Sequence, residues 1–141
     1  MQPARQTARV SDPARSVIPP TIKRFQAAER LLAFDNGRLE VIHFGSQAIG
    51  KGSYAPGWRW SRCTGPPVAT QRVTGDHVGL VLSGLARLRV HDGLEIDLRP
   101  GDCYQAALSA EFDMWVVGFR PCEILYLAGV ESLIEQLHPP V

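Results

Sequence analysis

The sequence predicts an all-β domain, a small sandwich or barrel of antiparallel strands, and three observations carry that expectation. Thirteen Gly and 11 Pro in 141 residues punctuate the chain too often for a helical bundle, because both residues interrupt regular structure. Short segments rich in β-branched and aromatic side chains recur at close spacing between clusters of Gly, Asp, Pro and Ser. Almost no helical pattern separates them, whereas parallel strands need crossovers of about a dozen residues or more. With 45% apolar residues the chain can bury one full core, and at 141 residues it is too short for two ordinary domains.

Residues 1–20 hold few large apolar groups and carry Arg5, Arg9 and Arg15 against Asp12, so a disordered arm is expected there. Residues 21–34 are a lead-in in which Ile22, Phe25, Ala28, Leu31 and Leu32 recur at three and four, the spacing of one helical face, so a short helix is expected. From 35 to 128 the reading is a barrel, with strands at 39–44, 48–54, 58–62, 77–82, 86–91, 94–98, 102–106, 113–118 and 123–127. Asp92-Gly93 sits between two alternating runs, as a tight hairpin turn with positive φ demands, and Leu88, Val90, Leu94, Ile96 and Leu98 are expected to share a buried face. Residues 129–141 form a C-terminal helix and tail, with Val130, Leu133, Ile134 and Leu137 on one stripe before Pro139-Pro140.

Fifteen Lys plus Arg against 14 Asp plus Glu leave a formal charge of +1, which gives no global field for nucleic acid or an anionic membrane. No apolar run reaches the length of a spanning helix and Met1 to Pro20 lacks the apolar centre of a secretory signal, so the expected location is the cytoplasm. Cys63, Cys103 and Cys122 are an odd number without Cys-x-x-Cys spacing, and reduced thiols are expected.

The stretches PGWRWS (56–61), HVGLVLSG (77–84), HDGLEIDLRPGD (91–102) and DMWVVG (113–118) together resemble the single-domain bacterial cupins. The likeness runs from about Phe34 to about Leu127. It implies a jelly-roll barrel of the cupin double-stranded β-helix type, a homodimer, and an open end that holds a divalent metal or a small ligand. Independently of the resemblance, Pro100-Gly101-Asp102 supplies a fixed φ, a residue free to take positive φ and a short side chain that can bond nearby backbone, which reverses the chain between strands.

Metal-binding cupins carry a Gly followed after five residues by a His-x-His pair, then an acid separated by six residues from a second Gly, and in a later motif a final His. Carried onto this chain from Gly57, Gly84 and Gly101, those positions fall on Cys63, Gly65, His77 and Phe112. Cys63 and His77 are sensible donors for zinc, copper or iron, and the resemblance implies a divalent zinc, iron, manganese or nickel if any, but two donors do not make a catalytic site, which normally has three protein ligands. The third would come from Glu111, in an irregular loop, or from Asp76, which points away from His77 on a regular strand.

If Cys63 and His77 face the barrel, alternation sends Arg59 and Ser61 the same way and Trp58 and Trp60 to the other side; an inward Arg59 could clamp a carboxylate or phosphate, and the alternative is an Arg59 that faces solvent or pairs with an acid. Phe112, Met114 and Val116 share a face, so the spot vacated by the final His becomes apolar, and alternation puts Val81 on the same inward face as His77. The expectation is a module that binds a small molecule through Arg59, Cys63, His77, Val81, Phe112 and Met114. The alternative is a metal-dependent dioxygenase or isomerase built on Cys63, His77 and Glu111.

Overall fold

Nine strands, every pair antiparallel, form two facing sheets in the computed structural model, which describes residues 18–63, 76–108 and 111–137. In chain order they are β1 (Arg30–Phe34), β2 (Gly37–Phe44), β3 (Gln47–Tyr54), β4 (Asp76–Ser83), β5 (Ala86–Arg89), β6 (Glu95–Leu98), β7 (Cys103–Ala107), β8 (Asp113–Val116) and β9 (Cys122–Ala128). The larger sheet runs β1-β2-β3-β9-β4-β7 and the smaller β6-β5-β8. Two short helices, α1 (Trp60–Cys63) and α2 (Val130–Gln136), and two 3-10 turns complete the described elements. This is the antiparallel jelly roll the sequence predicts. The expected disordered arm lies, apart from its last three residues, outside the described residues.

Alternation explains why the strands form where they do. In β4 His77, Gly79 and Val81 are buried while Val78 and Leu80 are only partly covered, and in β9 Cys122, Ile124 and Tyr126 are buried while Glu123 and Leu125 are half-exposed. The inner faces meet in one core containing Leu39, Val41, Val81, Leu88, Met114 and Ile124. One flank is covered by α2, which buries Val130 and Leu133. Gly84 carries φ +81, and a side chain there would run into the Pro121 carbonyl and the Cys122 backbone, so this turn accepts only glycine. After Pro100, Gly101 N–H donates to the Val81 carbonyl at 2.9 Å and Asp102 Oδ2 accepts from Arg99 N–H at 2.8 Å, so the side chain bonds the turn as its residue type suggests.

Three sequence expectations change. The lead-in helix is a single 3-10 turn, Phe25–Ala27, and its second half is strand β1, paired with β2 from Arg30↔Val41 to Phe34↔Gly37. A short helix has a costly nucleus, and the waiting edge of β2 offers this segment a full ladder instead. The strand expected at 58–62 is a one-residue bridge, Arg59↔Trp115, followed by α1. Finally, Leu94 and Ile96 are exposed, at 57% and 43%, although Leu88 and Leu98 are buried. Ile96 lies in β6, the edge of the smaller sheet, which pairs with β5 alone, and Leu94 lies in the turn that leads into it, so no neighbouring strand covers them. Asp92 and Gly93 both take positive φ at the tip of that hairpin, as expected.

Candidate functional site

Counting along the motifs assigns His77 and Phe112 to metal-ligand positions, and the fold does bring these two together. Their rings meet edge to face with centroids 5.5 Å apart. Other rings pack against the pair: Tyr104 lies 5.3 Å and Tyr126 5.8 Å from His77, and Trp60 packs edge-on to Phe112 at 5.4 Å. His77 is fully buried, its Nε2 3.0 Å from the Tyr104 hydroxyl. Its Nδ1 has no hydrogen bond among the described residues, although the Ala106 backbone is close enough to act on its charge. Burial holds the imidazole neutral and lowers its pKa from 6.5 to about 4, against smaller opposing effects of Ala106 and Asp76. Burial likewise keeps Tyr54, Tyr104 and Tyr126 protonated, and the hydroxyls of Tyr54 and Tyr126 share a 2.6 Å hydrogen bond.

The other expected ligands lie elsewhere. Cys63 ends α1, half-buried, with Sγ 3.9 Å from the Gly57 carbonyl and 4.0 Å from Asn36 Nδ2. Glu111 is exposed, and so is Asp76, whose Oδ2 accepts from Gln105 at 3.1 Å. Among the described residues no three His, Cys, Asp or Glu side chains are grouped so as to hold an ion. Cys63, His77 and Glu111 are therefore not grouped into the three-donor set of the alternative reading, and a barrel-centre metal does not fit the described residues. Val81 and Met114, both 1% exposed, are packed in the core beside the aromatic cluster.

Arg59 does not point into the barrel and takes the alternative expected of it, a pairing with an acid. Trp58 and Trp60 turn inward and are buried, and Arg59 lies outside on the smaller sheet, its Nε donating to Asp113 Oδ2 at 2.8 Å and its guanidinium 4.1 Å over the Trp115 ring. The reason is solvation: two indoles remove more apolar surface from water than any inward arrangement of Arg59 and Ser61 could, and the charge stays partly wet. Asp113, 3% exposed, is the hub. It also accepts from Ser61 N–H at 3.1 Å, Ser61 Oγ at 3.0 Å and Met114 N–H at 2.9 Å, which ties α1 to β8. Arg89 approaches it at 3.6 Å, an ion-pair distance beyond hydrogen-bond reach.

Beside this hub opens a cavity of about 430 Å³, lined by Ser61, Arg89, Glu111, Phe112, Asp113 and the tip of the β5–β6 hairpin. Its volume is that of a small-molecule site. Phe112 is its apolar wall and separates it from His77, which does not line it. Sequence reading passed over Arg89 and Asp113 as ordinary strand residues. The available signal was Asp113 itself, an acid opening an otherwise apolar strand, Asp113–Val116, where a lone carboxylate needs donors if it is buried.

No protein-family model and no curated protein matches this chain. Among solved structures it is similar to the polyketide cyclase RemF from Streptomyces resistomycificus, at 16% identity over 77% of this chain and 78% of that one, with a TM-score of 0.56. It is also similar to a protein of unknown function from Rhizobium leguminosarum bv. viciae 3841, at 20% identity over 77% and 95% of the two chains, TM-score 0.52. An oxalate decarboxylase matches at 15% identity and TM-score 0.56 over 83% of this chain, which spans only 32% of that enzyme. Identities this low carry the fold and leave activity open. With two facing antiparallel sheets, and with Gly84 and Pro100-Gly101-Asp102 turning the chain where the motifs require, this protein has the cupin fold.

Proposed function

We propose that this chain is a small-molecule-binding cupin module that works without a metal in its barrel, acting in a regulatory or accessory role and pairing as a homodimer. One observation carries the reading: the converging ligand positions are occupied by a neutral, ring-packed His77 and by Phe112, while the polar cavity lies on the other side of that phenyl ring. A buried imidazole packed against three rings is a core element, and the groups able to meet a ligand, Ser61 and Arg89, stand at the cavity. The neighbours in fold differ in their reactions, so the fold names no substrate.

Elemental analysis of untagged protein tests the first half. The expected metal content is well below one ion per chain and is unchanged in a His77→Ala protein. One tightly held ion per chain, lost in that variant, would restore the metal-enzyme reading. A fragment screen by protein-observed NMR tests the second half: compounds that bind shift Ser61, Arg89 and Phe112, and hits clustering elsewhere on the surface count against the cavity.

A further inference from the structure

Phe119 stands in the turn between β8 and β9 with 98% of its surface in water. A single exposed apolar side chain is ordinary, but this one is held out by its loop. Gly118 before it takes φ +89 and Pro121 after it has its φ fixed by the ring. Val117 N–H donates to the Leu85 carbonyl at 2.9 Å, and the Pro121 carbonyl lies so close to Gly84 that a side chain there would meet it. The phenyl ring is therefore presented by a loop clamped at both ends. Beside it opens a groove of about 420 Å³, walled by half-buried Leu85 and Val117, by Pro100 and by Phe119 itself. No acid lines this groove, and its one charged group, Arg120, is exposed and makes no hydrogen bond or ion pair among the described residues. The ring does not fill the groove, because nearly all of it is in water.

A projecting apolar knob beside an unfilled apolar groove makes this face complementary to itself. A two-fold axis passing between the two features carries each ring into the groove of the other copy, the reciprocal contact that defines an isologous interface. The clamped loop spares most of the cost of ordering the ring on association. We propose that the homodimer forms on this face, Phe119 of each copy seated against Leu85, Pro100 and Val117 of the other, an inference that rests on the homodimer reading above. Arg120, next to the ring, keeps its guanidinium in water at the rim, where a polar group costs nothing to leave solvated. Each ring removes roughly 200 Å² of its own surface and a similar area of the wall it meets, so the symmetric pair buries roughly 800 Å². That is below the roughly 1,200 Å² at which stable complexes begin, so the dimer is reversible and dissociates at micromolar concentrations.

The test is sedimentation velocity of the full chain over a concentration series, with two variants. Phe119→Ala removes the knob at a site that supports no packing within the chain, so the fold is kept, and it should weaken dimerisation at least about a hundredfold. Val117→Trp fills the groove and should weaken it comparably. Mixed in equal amounts, the two variants should recover a heterodimer, because the ring of one still meets the open groove of the other, and the alanine leaves room for the indole. A wild-type dimer that Phe119→Ala leaves intact overturns this face while the homodimer reading stands. A wild-type chain that stays monomeric removes both and leaves the groove to some other occupant. Loss of the dimer in Phe119→Ala without recovery on mixing with a folded Val117→Trp protein shows that the ring acts outside the groove, and overturns the proposed seating.

Discussion

His77 is a histidine whose folded state resists protonation, and that has a definite consequence for stability. Above pH 6.5 the imidazole is neutral in both folded and unfolded chains. As the pH falls from there towards the folded value of about 4, the unfolded chain takes up a proton that the buried ring refuses, so stability is present above the unfolded pKa and declines on acidification. The shift corresponds to about 3 kcal/mol at full effect. Urea unfolding at neutral and mildly acidic pH should show this decline, and a His77→Leu protein should lose most of that slope. Identical slopes in the two proteins would mean the ring is not held neutral by its surroundings. The same residue shows what local reading can do. Its position in the motif was legible, because Gly84 fixes the count, but the rings around it were not, since Tyr104 and Tyr126 come from strands 27 and 49 residues away along the chain.

At the scale of elements, α1 shows how a side chain overrides a pattern. Alternation of Trp58, Arg59, Trp60 and Ser61 reads as a strand, yet the segment winds into helix because Asp113, more than fifty residues away, receives the N–H and hydroxyl of Ser61 together with Arg59. No local signal announces a partner at that distance. Removing it is expected to be costly. Asp113→Ala should destabilise the fold by about 2–3 kcal/mol, because α1 loses its anchor to β8 and the donors of Ser61 are left without an acceptor. Arg59→Ala should cost less, since Asp113 keeps its three other hydrogen bonds and the arginine is one-third exposed. Chemical denaturation of the two variants checks the order, and an equal or greater loss from Arg59→Ala would show that the pair, and not the anchoring of α1, carries the energy.

At the scale of the molecule, the described surface leaves large apolar groups in water: Phe119 is 98% exposed, and Leu31 and Leu94 are also uncovered. The proposed homodimer would cover such surface. Sedimentation velocity should give a species of twice the 15.5 kDa chain mass, and a monomer that persists up to high micromolar concentration would remove the dimer. No helix among the described residues is long and apolar enough to cross a membrane.

Turn residues and alternation, read along the chain, determined the architecture: Gly84, Asp92-Gly93 and Pro100-Gly101-Asp102 act through their own φ angles and neighbouring backbone, so their effect is written where they stand. The erosion of the metal-ligand set was also visible there, because a phenylalanine cannot donate to an ion wherever it is placed. Only the tertiary structure decided which way Arg59 and the tryptophans face, that β1 is a strand, and that the polar cavity lies beside Asp113 and not around His77. Each of these depends on a partner supplied by another strand, and the competition between burying an indole and solvating a charge is settled only when the sheets have met.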